Sequence, residues 1–253
     1  MFFEIMSNSL GLASLQLPIS WAMAGVQAWF PEDCVLCGGS CRTGLVCPQC
    51  TSALPRPAHF CTHCASRLDP GAICAACRRR RLAFDDATAC FEYRFPVDRL
   101  VQRFKYAADF ACGRWLCLEL ARWVEREARP DVLVAPPLSA ERLRERGFNQ
   151  GVELARSVGA HLGIRCDPAA LVRVRDTPAQ AGLSRRERLA NLRRAFQVRR
   201  KLDGAHVAIV DDVLTTGATA EAISRELKRA GARRVSVWAV ARAPEPGKRR
   251  CSK

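Results

Sequence analysis

The sequence predicts an α/β protein whose mainly parallel sheet is preceded by a small cysteine-rich module. Three observations carry that expectation. From residue 83 onward, apolar strand-like runs alternate with segments of helical spacing, a pattern that builds parallel sheets. Upstream of that point, eight of the fourteen cysteines fall into four CxxC pairs. The chain has 253 residues, 49% of them apolar, enough for one core of ordinary size and a small accessory module but not for three domains. Four segments are expected: residues 1–30 as an apolar helix or a poorly ordered stretch, the cysteine module over 31–82, the α/β domain over 83–245, and a basic tail over 246–253.

Residues 10–30 are mostly apolar, but Pro18 and Gly25 interrupt them and no Lys or Arg precedes them. An export signal needs a basic start, and a membrane span needs a longer unbroken apolar run. The segment is therefore expected to pack on the protein surface or to be an over-long start, with Met23 as another initiator. No stable membrane insertion is expected, and the expected location is cytoplasmic.

The CxxC pairs are Cys34/Cys37, Cys47/Cys50, Cys61/Cys64 and Cys74/Cys77, so that CxxC-x9-CxxC recurs with a 27-residue period. Two residues between thiolates let one tight turn place both sulfurs on a single ion, and two such turns complete a tetrahedron. Disulfides are the competing reading, but nothing marks the chain for export, and cytosolic thiols stay reduced. Two structural zinc sites are expected. Four sulfurs per ion leave no open position for water, so these sites should fold the module and do no chemistry. Sequential pairing of the CxxC units follows the repeat; interleaved pairing is the other option. Cys41, His59 and His63 stand near enough to replace a ligand, but four cysteines per site make them bystanders. Losing a ligand is expected to unfold the ribbon and leave the ligand site of the α/β domain largely formed.

In the second half, residues 87–93 read as a strand, and 99–106 and 112–127 as helices, the latter with Leu116, Leu120, Trp123 and Val124 at helical spacing. Residues 132–135 are a short buried strand that stops at Pro136-Pro137. Residues 149–162 form a helix closed by Gly163. Residues 205–210 are an apolar strand launched from Asp203-Gly204. Residues 218–230 are a helix with Ala220, Ile223, Leu227 and Ala230 on one face and Gly231 at its end. Residues 235–241 are a last strand. In such sheets ligands sit beyond the carboxyl ends of the strands.

One strand end carries an unusual pattern. An apolar run, Val207-Ala208-Ile209-Val210, meets two consecutive carboxylates, Asp211 and Asp212, and then a loop of Thr215, Thr216, Gly217, Ala218 and Thr219 that opens a helix. Small residues let backbone approach a ligand, and N–H groups converge at a helix N-terminus with its partial positive charge. Threonine hydroxyls add donors. Together these make a phosphate cradle. Paired carboxylates only accept hydrogen bonds, which suits two vicinal ribose hydroxyls and a nearby Mg²⁺. A diol site just upstream of a phosphate site describes a ribose 5-phosphate.

This motif resembles the phosphoribosyl pyrophosphate (PRPP) signature of type I phosphoribosyltransferases. The resemblance implies that Asp211 and Asp212 hold the ribose hydroxyls and that Thr215, Thr216, Gly217, Ala218 and Thr219 wrap the 5-phosphate. The family's pyrophosphate loop follows an earlier strand, which puts Ala135 and Pro136 at that place, although no Lys or Arg follows them until Arg142. More specifically, the chain resembles the ComF/GntX family, which joins a double zinc ribbon to such a domain. That resemblance rests on Arg103-Phe104-Lys105-Tyr106, on Arg146-Gly147-Phe148-Asn149-Gln150, and on Thr177, Gln180, Leu183, Arg188, Asn191 and Ala195-Phe196, besides the cysteines and the PRPP signature. It spans residues 34–242. It implies PRPP and Mg²⁺ as ligands, Lys105 and Arg188 as catalytic candidates beside the Asp pair, and Arg146 and Asn149 as PRPP contacts. Residues 177–191 are the candidate for a loop that closes over PRPP and excludes water. The family is associated with competence, the uptake and processing of DNA in natural transformation.

The implied chemistry displaces pyrophosphate from C1 of PRPP, with catalysis by Mg²⁺, basic side chains and loop closure. No side-chain nucleophile is needed, in keeping with the lack of a Ser/His/Asp constellation, and no acceptor pocket can be read. Two alternatives stand beside a competence-linked role: a phosphoribosyltransferase of small-molecule metabolism with a nucleobase or amine acceptor, and a non-catalytic PRPP or nucleotide sensor. Net charge bears on the choice. Lys plus Arg total 40 against 25 acidic residues, a charge of +15, which favours polyanionic partners. Together with the competence link that the family resemblance implies, this makes single-stranded DNA and competence proteins candidate partners. With only 7% aromatic residues for base stacking, any DNA binding is expected to be weak and driven by phosphate contacts with arginine runs such as Arg78–Arg81.

Overall fold

A computed structural model describes residues 32–41, 44–68, 73–175, 190–192 and 194–244. The expectations for residues 1–30, for the basic tail and for most of the 177–191 loop, Arg188 included, lie outside these residues.

The cysteine module is two knuckles in tandem. Strands β1 (Glu32–Asp33) and β2 (Ser40–Cys41) pair antiparallel across the first. Short helices α1 (Pro48–Ser52) and α2 (Ala75–Arg79) end the first and second knuckles, one sequence period apart. Each helix starts on a cysteine, Cys47 or Cys74, whose sulfur accepts the N–H of the cysteine three residues on. The sequence repeat is therefore also a repeat of geometry.

The α/β domain follows with β3 (Asp86–Glu92), α3 (Val97–Tyr106), α4 (Phe110–Val124), β4 (Val132–Val134), α5 (Ala140–Arg146) and α6 (Gln150–Leu162). A two-stranded antiparallel ribbon, β5 (Leu171–Arg173) with β6 (Phe196–Val198), precedes β7 (His206–Leu214), α7 (Ala218–Arg229) and β8 (Arg234–Arg242). The main sheet has the order β3-β8-β7-β4 and is parallel throughout. Helices cover both faces, as burial of an all-parallel sheet requires. Along β7, Ala208 and Val210 point into a core shared with α3, α4 and α6, while Val207 and Ile209 point into one shared with α7 and the ribbon. Full burial of a Val or Ile side chain contributes about 1.5–3 kcal/mol.

Strand and helix types agree with the sequence pattern, with three differences. Strand β7 runs on through Leu214, so Asp211 and Asp212 lie inside the strand, which pairs with β8 on either side of Asp212, rather than following its end. The arginines at 142, 144 and 146 sit on a short helix, α5, that the sequence reading did not include, capped by Ser139 at its start and by Gly147 in the left-handed conformation at its end (φ 75°). The antiparallel ribbon β5–β6 has no counterpart in the sequence reading.

Candidate functional site

The sulfurs of Cys34, Cys37, Cys47 and Cys50 lie within 4.8 Å of one another, and those of Cys61, Cys64, Cys74 and Cys77 form a second such group. The first CxxC pair therefore joins the second, and the third joins the fourth. Cys41, His59 and His63 belong to neither group. Donor chemistry fits zinc: four thiols, no competing carboxylate, and backbone N–H groups aimed at the sulfurs, as from Cys47 to Cys34 and from Cys74 to Cys61, both at 3.3 Å. Burial opposes ionisation of Cys34, yet the N–H groups of Cys47, Cys37 and Leu36 bring its thiol down to about 6. Cys50, hydrogen-bonded to the sulfur of Cys47, is pushed up to about 12. A divalent cation relieves such crowding of thiolates.

The second centre lies on the last residues of β7, just beyond the end of its neighbour β4. Asp212 is 4% exposed, and its Oδ1 receives the Lys105 ammonium of α3 at 2.8 Å. Its Oδ2 is buried without a partner, an arrangement that awaits a donor or a cation. Asp211 is half-buried, and its Oδ1 accepts the Asp212 backbone N–H at 2.9 Å. Burial and the adjacent Asp212 charge push Asp211 up to about 7, against the pull of Lys105 and Arg146. Burial would lower the Lys105 pKa, but the two carboxylates outweigh it and hold Lys105 above the usual lysine value. The structure thus brings three of the expected catalytic residues together: Asp211, Asp212 and Lys105.

Residues Thr215 to Thr219 turn from β7 into α7. Gly217 occupies the left-handed region (φ 75°) at the start of the helix and offers no capping side chain. A Cβ there would meet nothing closer than Leu214 and Phe84 at 3.9 Å, so backbone conformation rather than space demands glycine. The Thr216 hydroxyl accepts the Ala218 N–H at 3.4 Å. The opening amides of α7 face outward from a turn with no anionic side-chain cap, which is what an anion at a helix N-terminus uses.

Ala135 and Pro136 leave β4 buried. Asn149 ties them down: its Nδ2 donates to the Pro136 carbonyl at 3.0 Å, and its Oδ1 accepts the N–H groups of Gly151 and Val152. Asn149, expected from the resemblance as a ligand contact, positions the loop through these hydrogen bonds. Arg146 lies over Tyr106, its guanidinium 4.9 Å from the ring centroid, with the Nε buried and unpartnered.

Sequence reasoning missed Arg242. It ends β8 and is 7% exposed. Its guanidinium donates to the carbonyls of Leu214 and Thr215 at the root of the threonine loop, and to the Cys64 carbonyl (2.9 Å) and Ser66 hydroxyl (3.0 Å) of the second knuckle. A lone arginine closing an apolar strand gives no local signal, so only the fold reveals it.

Comparison with known proteins bears on both centres. A double zinc ribbon domain model matches residues 25–78, and a phosphoribosyl transferase domain model matches residues 117–252. A DNA utilization protein of Salmonella typhimurium is 33% identical over 204 residues, covering 78% of this chain and 90% of its own. Competence protein F of Haemophilus influenzae is 31% identical over 228 residues, covering 85% of this chain and 99% of its own. The chain belongs to the ComF/GntX family. This ComF/GntX chain couples a double zinc ribbon to a phosphoribosyltransferase domain. The solved purine phosphoribosyltransferase of Pyrococcus horikoshii covers 55% of the chain and 90% of its own length at 20% identity, with a TM-score of 0.33. Among the described residues, no helix is long and apolar enough to cross a membrane.

Proposed function

We propose that this chain binds PRPP with Mg²⁺ at the end of β7 and acts as a phosphoribosyltransferase-like protein in the handling of incoming DNA. One observation carries the ligand reading: a carboxylate pair, half-buried Asp211 and buried Asp212 with an unpartnered oxygen, stands just before a glycine turn and a helix N-terminus whose N-cap residue offers no side chain. Asp211 and Asp212 would accept the two ribose hydroxyls, and the amides from Thr215 to Thr219, with the threonine hydroxyls, would bind the 5-phosphate. Mg²⁺, when bound, neutralises the pyrophosphate charge, and a carboxylate pair with water is an oxygen donor set that suits it. Lys105 holds Asp212 in place and sets positive charge at its buried end. Arg146 adds a second cation next to Asp211, and the backbone of Ala135 and Pro136 is the candidate pyrophosphate contact. Arg188 remains assigned by the family resemblance alone. The relatives' names, for DNA utilization and competence, and a charge of +15 support work with single-stranded DNA and competence proteins.

Calorimetry with PRPP and MgCl₂ tests the site. Asp211→Asn combined with Asp212→Asn removes the charges that favour the diol and the cation. The expected loss is about 2–4 kcal/mol, as for truncated charge-assisted hydrogen bonds, or roughly 30- to 1,000-fold in affinity. Undiminished affinity in the folded double variant sinks the assignment. Pyrophosphate release with a nucleobase or an amine identifies a transferase; tight binding without turnover identifies a sensor.

A further inference from the structure

The threonine loop rests against the second cysteine knuckle. A narrow cleft between them is lined by Cys64 and Cys77 on the knuckle side and by Leu214, Thr216 and Gly217 on the loop side, with Arg242 across it. Arg242 joins the two sides: its Nη1 donates to the Leu214 carbonyl at 2.8 Å and to that of Thr215, its Nε to the Cys64 carbonyl, and its Nη2 to Ser66. Ser66 in turn lies 3.3 Å from the Cys64 sulfur. A hydroxyl that accepts from Arg242 has one proton to give, and a metal-held thiolate at Cys64 is an acceptor for it. Among the described residues, the first knuckle has no such link. It leans on α3 and α4 through Val35, Leu36, Trp115 and Arg103.

We infer that the second cysteine cluster is a structural part of the PRPP site, with Arg242 as the positioning residue that transmits its shape to the phosphate loop. The inference rests on the PRPP reading proposed above. Its physical basis is preorganisation. A CxxC knuckle keeps its fold only while metal holds its sulfurs. The Cys64 carbonyl and Ser66 therefore stay in place for Arg242 only in the metal-bound chain. Arg242 fixes the carbonyls of Leu214 and Thr215, and each carbonyl belongs to the same peptide plane as the next residue's N–H. Fixing them orients the amides of Thr215 and Thr216 at the start of the cradle. Small misplacement of such donors is costly, because they act by being aimed before the anion arrives.

The test uses the full chain with zinc content, PRPP–Mg²⁺ affinity and amide hydrogen exchange measured side by side. Arg242→Gln is expected to keep both zinc ions, to speed exchange at residues 214–219 and to weaken PRPP at least tenfold. Cys77→Ser is expected to weaken PRPP at least tenfold more than Cys50→Ser, its counterpart in the first cluster. Ser66→Ala, the mildest change, gives a smaller loss in the same direction and serves if Arg242→Gln fails to fold. Equal PRPP losses from the two cysteine variants, or a folded Arg242→Gln with wild-type affinity and exchange, overturn the inference. If the wild-type chain itself does not bind PRPP, the ligand reading fails, while faster exchange at residues 214–219 in Arg242→Gln still reports whether the knuckle holds the loop.

Discussion

The two cysteine knuckles are one motif placed twice on different ground. Their CxxC spacing, their short helices and their N–H to sulfur contacts repeat. Their neighbours do not. The first packs on α3 and α4, where Trp115 bridges the knuckle and the main core and stacks on Phe91 with ring centroids 5.9 Å apart. The second meets the sheet and the phosphate loop: its Thr62 carbonyl accepts the Ala87 N–H of β3 at 3.0 Å, and Arg242 binds it from the end of β8. Between them, Arg56 pairs with buried Glu119 of α4 and lies 4.6 Å from the Phe91 ring centroid, which fixes the linker. Identical local chemistry thus acquires two roles from what it touches. The sequence-based expectation that losing a zinc ligand spares the α/β ligand site is compatible with the surroundings of the first knuckle. On the inference drawn above, it fails for the second.

Trp115→Ala sharpens the contrast with the largest expected effect. Removing a half-buried indole that packs on both the first knuckle and Phe91 should cost about 2–3 kcal/mol, toward the low end for a large-to-small aromatic change. Thermal unfolding should shift down, and zinc analysis should show loss from the first cluster with the second retained. PRPP affinity should stay close to that of the parent chain. A large PRPP loss here would mean that the two knuckles are not distinct in their reach.

The two short helices differ in charge as well, and the expected effect of that difference falls on binding rather than on folding. Helix α1 has no basic residue in its last turn, whereas α2 ends in Arg78 and Arg79, with Arg80 and Arg81 directly after. All four are exposed, and no described carboxylate forms an ion pair with them. If the second knuckle is also the DNA-facing one, changing the run to Gln should lower the salt slope of single-stranded DNA binding by about 0.7–1 unit for each phosphate no longer neutralised. Melting temperature and zinc content should hardly move. An unchanged slope, read from binding isotherms across a salt series, places the DNA-binding surface elsewhere.

How much of this was legible in the sequence depends on how local each signal is. The zinc ligands, the parallel sheet and the Asp-Asp-to-threonine motif were all readable, because each is written in consecutive or periodic residues. Helix α5 was missed because Leu143 is nearly its only apolar residue, so no amphipathic stripe betrays it; its Ser139 and Gly147 caps were the available signal. The full length of β7 was missed because two carboxylates read as a strand's end, whereas β8 pairs straight past them. The ribbon β5–β6 joins two three-residue strands that are 22 residues apart in the chain, too short and too distant to show a pattern. Arg242 was beyond reach for a related reason: its meaning lies in hydrogen bonds to residues 178 and 28 positions away.

The smallest expected effect supplies the control that the knuckle comparison needs. Acid strips zinc from thiolates, since protons compete for sulfur, but a buried group of the sheet weakens in the same range. His206 opens β7 and is 4% exposed. Its Nδ1 faces the Arg129 carbonyl at 3.3 Å and its Nε2 the Ser236 hydroxyl at 2.8 Å. The carbonyl can only accept, so Nδ1 carries the proton and Nε2 accepts from Ser236, which is the neutral imidazole. Burial, and then the Arg234 charge, lower its pKa below the ordinary 6.5, against the Arg129 carbonyl, Asp86 and Asp131. The sign follows from linkage. Above 6.5 neither state is protonated and the neutral hydrogen bonds contribute fully; below 6.5 the unfolded chain takes up a proton that the folded chain resists, so stability falls as pH falls. His206→Gln should therefore be somewhat less stable at pH 7.5 and lose less stability on acidification through 6.5, with the pH of zinc release unchanged. Denaturant midpoints and zinc content along one pH series separate the two losses. If parent and variant lose stability in parallel, His206 is not the titrating group and the acid sensitivity belongs to the cysteine clusters.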